Sequence, residues 1–295
     1  MVKKILIVVL CLMLLSGIAY IYVRYQTKDI GTVTVDDSYV QDLEAQLEME
    51  SRDLRYYTKG KSNTNYLVNF LGEENFSDGY FPLTNYDKPD SKKWIEKNRA
   101  KNKARLTALI SEFDKFVLEA SDIHRVPRVV IYGLMGVEHD DTVSIKESAK
   151  KTDGGAFIGL MQASVVTAND TLKRGVMNKQ LSKRQVDFFI QKFGKKIDSV
   201  TKSDLQDAEK NIHVATAFLS VLIRKFGLDD LHKVIFSYNR GEFRLSTDGN
   251  TSLGINEMIK NYINTTNKDG ANYIIYSLGK HGSFDILYND LGIKD

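Results

Sequence analysis

The chain of 295 residues has one cysteine, three prolines and one tryptophan. The lone Cys11 sits inside an N-terminal apolar run, so the remainder has no thiol to cross-link and must be held by packing alone. Its neighbour Leu10 is not the small residue that lipidation wants before a cysteine, so Cys11 reads as an ordinary apolar side chain. Scarce proline argues against a proline-rich assembly and for helices joined by polar loops. Charge of one sign is also missing in bulk: the net formal charge is +3, with both signs interspersed. Lys92-Lys93 and Lys195-Lys196 are short runs that read as solvated faces, so no nucleic-acid partner is expected. The five histidines, at 124, 139, 213, 232 and 281, show no metal-ligand spacing, and His213 and His232 read as structural residues on helices. No phosphate-cradling loop or nucleophile constellation is present, so no cofactor and no metal are expected.

Long apolar runs are lacking except at the start. Residues 5–23 are uncharged and mostly apolar, flanked by Lys3, Lys4 and Arg24. About 20 such residues span a bilayer. Tyr20, Tyr22 and Tyr25 stand where an interfacial aromatic belt would lie. The expectation is a membrane anchor over 1–24 with the rest outside the cytoplasm, on the periplasmic or cell-wall side. A cleaved signal peptide is the alternative, with Gly17-Ile18-Ala19 as cleavage site; the apolar run continues past it. Residues 25–90 read as a linker or stalk region of mixed character. A helix over 37–57 carries Val40, Leu43, Leu47 and Leu54 on one face.

From Ser91, a candidate N-cap, the pattern turns helical, with Leu106, Leu109, Ile110, Phe113, Phe116 and Val117 at three- and four-residue spacing. Pro127 suits the first turn of a second helix, and further helices are expected near 158–171, 182–193, 203–226, 228–238, 253–263 and 270–279. Residues 91–295 therefore read as one all-α domain, an ordinary domain size.

Three stretches carry candidate chemistry. Glu138 ends the apolar helix "VVIYGLMGVE", where Gly133 and Gly136 permit close packing. A carboxyl emerging from such a helix is partly desolvated, which raises its pKa and suits a general acid; the alternative is an exposed glutamate at a helix end. "GGAFIGLMQ" brings a flexible glycine approach to Leu160, Met161 and Gln162, whose amide offers a donor and an acceptor. "VIFSYNRGE" ends a helix on Tyr238 and Asn239, with Gly241 free to turn left-handed.

In that order the three stretches resemble the lytic transglycosylases of the soluble-lytic-transglycosylase type, lysozyme-like enzymes related to goose-type lysozyme. Between the last two, Asn211, Ile212 and Leu219 match the family's Asn-Ile helix, with Ala215 for a glycine and Phe218 for a tyrosine. Near the end, Asp269, Tyr273 and Ile274 stand for its Glu and Tyr-Val, and the resemblance covers roughly residues 105–290. Departures are His139 in place of serine, a longer segment over 140–152, Asp153 where a serine is common, no Met-Pro after Gln162, and "YNRGE" for Tyr-Asn-Ala-Gly-Pro.

The resemblance implies cleavage of the β-1,4 bond between N-acetylmuramic acid and N-acetylglucosamine in peptidoglycan, giving a 1,6-anhydro sugar. Glu138 would be the catalytic acid and then base. It further implies that Gln162 holds a sugar amide or hydroxyl and that Tyr238 bonds or orients Glu138. Asn239 would fix that corner, and Met161 and Phe218 would form apolar walls. Tyr273 would line the cleft or belong to the core. Asp140 or Asp141 as a second catalytic carboxylate would make the rival a hydrolase; if the Glu138 helix persists, Asp141 shares its face. A non-catalytic murein-binding or assembly protein that kept the cleft is the other. The expected partners are glycan strands and, through the anchor, the membrane. Local wall opening beside an envelope-spanning machine is the role the anchor suggests.

Overall fold

The computed structural model describes residues 89–139, 152–153, 156–241, 244–245, 252–262, 265, 268–279 and 282–293. The expected anchor over 1–24, almost all of the 25–90 region, Asp140, Asp141 and His281 lie outside them. Among the described residues no helix is long and apolar enough to cross a membrane.

Helix α1 (Pro89–His124) starts on a proline, which loses nothing in a first turn, so Ser91 lies inside the helix rather than capping it. It buries Leu106, Leu109, Phe113, Val117 and Ala120 along one stripe. Arg125 turns left-handed at φ 56° and ends it. Pro127 then stands just before α2 (Arg128–Glu138), extended at ψ 138°, and its carbonyl accepts from Val130 N–H at 2.9 Å. Every residue of α2 from Val129 to Gly136 is buried. At roughly 1.5–3 kcal/mol per large apolar side chain, a helix surrounded in this way is fixed by its neighbours. Gly133 lies under the ring of Phe284, so that an added Cβ would meet the ring at 2.3 Å. His139 is extended (φ −73°, ψ 128°), so α2 stops at Glu138.

Three two-residue strands follow, antiparallel in the order β1 (Thr152–Asp153), β2 (Phe157–Ile158), β3 (Ala163–Ser164). Phe157 pairs with Asp153 and Ser164, and Ile158 with Thr152 and Ala163. The helix expected from 158 begins only at 165. Gly159 (φ 78°) and Gln162 (φ 45°) are both left-handed, which a helix cannot absorb. Helix α3 (Val165–Met177) takes Ser164 as its cap, the hydroxyl accepting from Thr167 N–H.

Helix α4 (Lys183–Phe193) opens on a Ser182–Gln185 capping box and closes on left-handed Gly194. The single helix expected over 203–226 is two: α5 (Lys202–Leu205), then α6 (Ala208–Phe226) with Asp207 as a new cap that accepts from Lys210 N–H. Helix α6 is buried from Asn211 to Ile223 and packs against α1, α3 and α7 (Leu231–Arg240). Helices α8 (Ile255–Tyr262) and α9 (Lys268–Leu278) follow, α9 lying against α7 and α2. A short α10 (Ser283–Asp285) runs into a π turn, Ile286–Asp290, tied to α1 by Arg99, which donates to Asp285 at 2.9 Å and Asp290 at 2.5 Å.

The main core gathers side chains of α1, α2, α6, α7 and α9, and a second core lies under α3 and α4. Helix α6 contributes to both, Leu219 to one and Val214 and Val221 to the other. The described architecture is mostly helical and fits an all-α lysozyme-like fold.

Candidate active site

Glu138 is the last residue of α2, so its side chain leaves a fully buried helix at the point where the backbone turns extended. It is half-buried. One oxygen, Oε1, accepts the Tyr273 hydroxyl of α9 at 2.6 Å. Burial raises the carboxyl's pKa to about 7, against the opposing pull of the Tyr273 bond, which favours the ionised form. The Tyr273 phenol is itself pushed well up by burial, then by the Glu138 charge. A carboxyl poised near neutrality can give a proton and later accept one.

The loop Gly159–Gln162 is moored by Asn211 of α6. The buried Asn211 amide accepts from Met161 N–H at 2.9 Å and donates to the carbonyls of Ile158 at 2.8 Å and Leu205 at 3.0 Å. Gly159 passes so close that an added Cβ would lie 2.4 Å from both Asn211 Nδ2 and the Leu205 carbonyl. The chain then doubles back. Gln162 N–H and its side-chain Nε2 both donate to the Gly159 carbonyl, at 3.1 and 2.7 Å. Holding Gln162 at φ 45° costs on the order of 1–3 kcal/mol, so the loop around it must over-determine that geometry. The Tyr238 hydroxyl of α7 completes the hold by donating to the Met161 carbonyl at 2.7 Å.

Between this loop, α3, α6 and the end of α7 lies a cavity of about 150 Å³. Phe157, Gln162, Ser164, Phe218, Tyr238 and Asn239 are in its lining. Phe218 stacks on Tyr238 with ring centres 5.4 Å apart. Asn239 Oδ1 is buried with no hydrogen-bond partner among the described residues. Glu138 is not in that lining. Tyr238 joins the two places: it lines the cavity, and the Glu138 charge adds to burial in raising its phenol.

The structure thus brings Gln162, Phe218, Tyr238 and Asn239 to one cavity, and Tyr273 to Glu138. The hydrogen bond to Glu138 comes from Tyr273, whereas the Tyr238 hydroxyl is committed to the loop. Met161 is fully buried in the main core, and it is its peptide groups that the site uses. Asn211 was legible only as a matching position; its role as the loop's anchor needed the fold. The Glu138 helix ends at that residue, with His139 extended, and Asp141 lies outside the described residues.

Glu119, Glu209 and His213 bring one metal-ligating atom each within 4.8 Å of one another. Glu209 and His213 are four apart on α6, a spacing that a search for histidine pairs passes over. These residues do not fit a metal. The Lys192 ammonium already bridges both carboxylates, 2.7 Å from Glu209 and in contact with Glu119. His213 Nδ1 accepts from His124 Nε2, which leaves the proton of His213 on its outward nitrogen.

Residues 116–259 match the model of the transglycosylase SLT domain. No curated protein and no solved structure matches the chain. Glu138, the moored loop and the Tyr238–Asn239 corner all fall inside that span; Tyr273 is supplied from beyond it. Residues 116–259 belong to the transglycosylase SLT domain family, the lysozyme-like type of lytic transglycosylase.

Proposed function

We propose that the protein is a peptidoglycan lytic transglycosylase. In this reading it cleaves the β-1,4 bond between N-acetylmuramic acid and N-acetylglucosamine and closes a 1,6-anhydro ring. The observation that supports it best is the half-buried Glu138 carboxyl, its pKa raised to about 7 by burial, with one phenol holding it in place. Protonated Glu138 gives its proton to the bridging oxygen as the glycosidic bond breaks. The resulting carboxylate, which the Tyr273 hydroxyl stabilises, takes the proton of the muramyl 6-hydroxyl as that oxygen attacks the anomeric carbon. The carboxyl ends as it began, and no water is consumed. The sugar's 2-acetamido group would assist at the anomeric centre, as in substrate-assisted exceptions to the two-carboxylate rule. Gln162 and Asn239 supply polar contacts for a sugar ring and Phe218 an apolar wall.

Placement outside the cytoplasm, with 1–24 as anchor, belongs to the same proposal, since the substrate is the cell wall. The test is clearance of purified murein sacculi by the wild type and by Glu138→Gln, with mass spectrometry of the products. Muropeptides lighter by one water than hydrolytic products are expected from the wild type alone. Products of full hydrolytic mass would make it a muramidase. Equal inertness of both proteins on several murein preparations would leave a binding or assembly role.

A further inference from the structure

Away from Glu138 and the cavity, α1, α4 and α6 share a buried chain of polar side chains. Gln185, in the first turn of α4, has its amide oriented by the cap: Oε1 accepts from Ser182 N–H at 2.8 Å and from its hydroxyl at 3.0 Å. Its Nε2 therefore faces Ser220 Oγ at 3.2 Å and His124 Nδ1 at 3.3 Å, and His124 Nδ1 must be a bare acceptor. The His124 proton is then on Nε2, 3.3 Å from His213 Nδ1, which must accept it. The His213 proton is left on Nε2, facing Glu119 at 3.5 Å. Each ring holds one proton in one tautomer, set from the α4 cap outwards.

Both imidazoles are completely buried. Phe188 lies 4.6 Å from His213 and Phe189 5.9 Å from His124, ring centre to ring centre. A second proton on either ring turns an accepting nitrogen into a donor. On His124 it would point at the Gln185 amide hydrogens, and on His213 at the His124 N–H. Neither can be accommodated in place. The charged groups near the pair are Glu119 and Asp122 on α1, Arg184 and Lys192 on α4, and Glu209 and Lys210 on α6. Asp122 pairs with Arg184, and Glu119 and Glu209 share Lys192; Glu119, 3.5 Å from His213 Nε2, opposes burial at that ring without outweighing it.

We propose that the His124–His213 pair is an acid-operated latch that sets the acidic limit of activity by releasing α4 from α1 and α6. The consequence for the site runs through α6, where His213 stands two residues from Asn211, the mooring of the Gly159–Met161 loop. The functional half of the proposal rests on the lytic reading above. In that reading the resting enzyme needs Glu138 protonated and needs no other group ionised, so the chemistry supplies no acid limb of its own. Burial pulls both imidazoles below the usual histidine range, His213 to about 4. The sign follows: a group that takes its proton more readily when unfolded withdraws stability as pH falls from about 6.5 towards the folded value.

The test uses the full chain in the Glu138→Gln background, because Glu138 titrates with the opposite sign over the same interval. The urea midpoint is followed from pH 7.5 to 4.5 for that protein and for the same protein with His124→Gln. Each native-neutral histidine contributes about a tenfold fall in the folding constant per pH unit, so the added substitution is expected to flatten the slope by about that factor. Native-state amide exchange read by residue should quicken first in α4 and the Gly159–Met161 loop. If His124→Gln prevents folding, ring NMR of the Glu138→Gln protein decides. Rings that stay neutral below pH 5 support the latch; rings that both titrate near 6.5 with exchange unchanged overturn it. An unaltered pH slope in the folded variant overturns it too. On murein, His124→Gln with wild-type Glu138 should move the acid limb, and a limb that stays put removes the functional half. If Glu138→Gln proves as active as the wild type, the lytic reading fails while the stability and exchange results still judge the latch.

Discussion

The Tyr273 hydroxyl lies 2.6 Å from Glu138 Oε1, across 135 residues of sequence. It is the hydrogen bond that opposes burial in setting the carboxyl's pKa. A bond to a charged group contributes roughly 1.5–3 kcal/mol, and each pKa unit corresponds to about 1.4 kcal/mol. Tyr273→Phe should therefore raise the Glu138 pKa by about one unit or more. The alkaline limb of the pH–rate profile moves upwards while the maximal rate falls, because the returning carboxylate has lost its donor. An unshifted limb would mean that Tyr273 only packs.

Glu138 should cost stability in return for its chemistry. Its folded pKa of about 7 stands above the ordinary 4.5. Below about pH 4.5 the group is protonated in both states and costs nothing. As pH rises towards 7 the unfolded chain ionises first, and the folded state loses stability by up to about 3 kcal/mol. Glu138→Gln is thus expected to be more stable than wild type at pH 8, with the difference closing near pH 4.5. Urea unfolding at the two pH values measures it. A destabilised Glu138→Gln at pH 8 would contradict the buried-carboxyl account. The loss of activity in the same variant should be about 10²–10⁴-fold, the usual scale for a general acid–base group.

Asn211→Leu keeps the branching of the side chain and removes three hydrogen bonds, leaving Met161 N–H and the Ile158 and Leu205 carbonyls without that partner in the core. The expected loss is about 3 kcal/mol, and amide exchange over 158–162 should quicken beyond what that loss alone explains. Gly159→Ala attacks the same contact from the other side. The residue sits at φ 78° and the new methyl would lie 2.4 Å from Asn211 Nδ2, so at least about 2 kcal/mol is expected. In combination the two should be clearly less than additive, because both unmoor one loop.

Asn239 Oδ1, buried and lacking a partner at the cavity, gives a prediction of the opposite kind. Asn239→Ala removes no hydrogen bond made by that oxygen in the free protein. Stability should change by less than about 1 kcal/mol, while KM for murein fragments rises about tenfold or more, the effect of losing one substrate hydrogen bond of about 1.5 kcal/mol. A large stability loss with KM unchanged would make it a structural cap.

Periodicity in the chain foretold the helices well where apolar residues recur every three or four positions, as in α1 and α6, because a stripe that must be buried leaves its spacing in the sequence. It failed at 158–164. There the left-handed backbone at Gly159 and Gln162 is imposed by Asn211 more than forty residues on. It also ran two helices together at 206–207, where Asp207 caps a new start. Glu138 could be singled out as a carboxyl leaving an apolar helix, and the order of its companion motifs pointed to the family. Which phenol serves it could not be read. Tyr238 and Tyr273 are equivalent as residue types, and only the packing of α9 against α2, and of α7 against the 159–162 loop, divides their tasks.

The amino-acid sequence by itself determined the helical body, the acid at the end of α2 and the polar residues near it, since burial and backbone preference act on neighbours along the chain. The tertiary structure alone decided the Tyr273–Glu138 bond, the Asn211 mooring and the proton order of His124 and His213. Hydrogen bonds depend on direction and on tenths of an ångström between residues remote in sequence, and no local pattern records those.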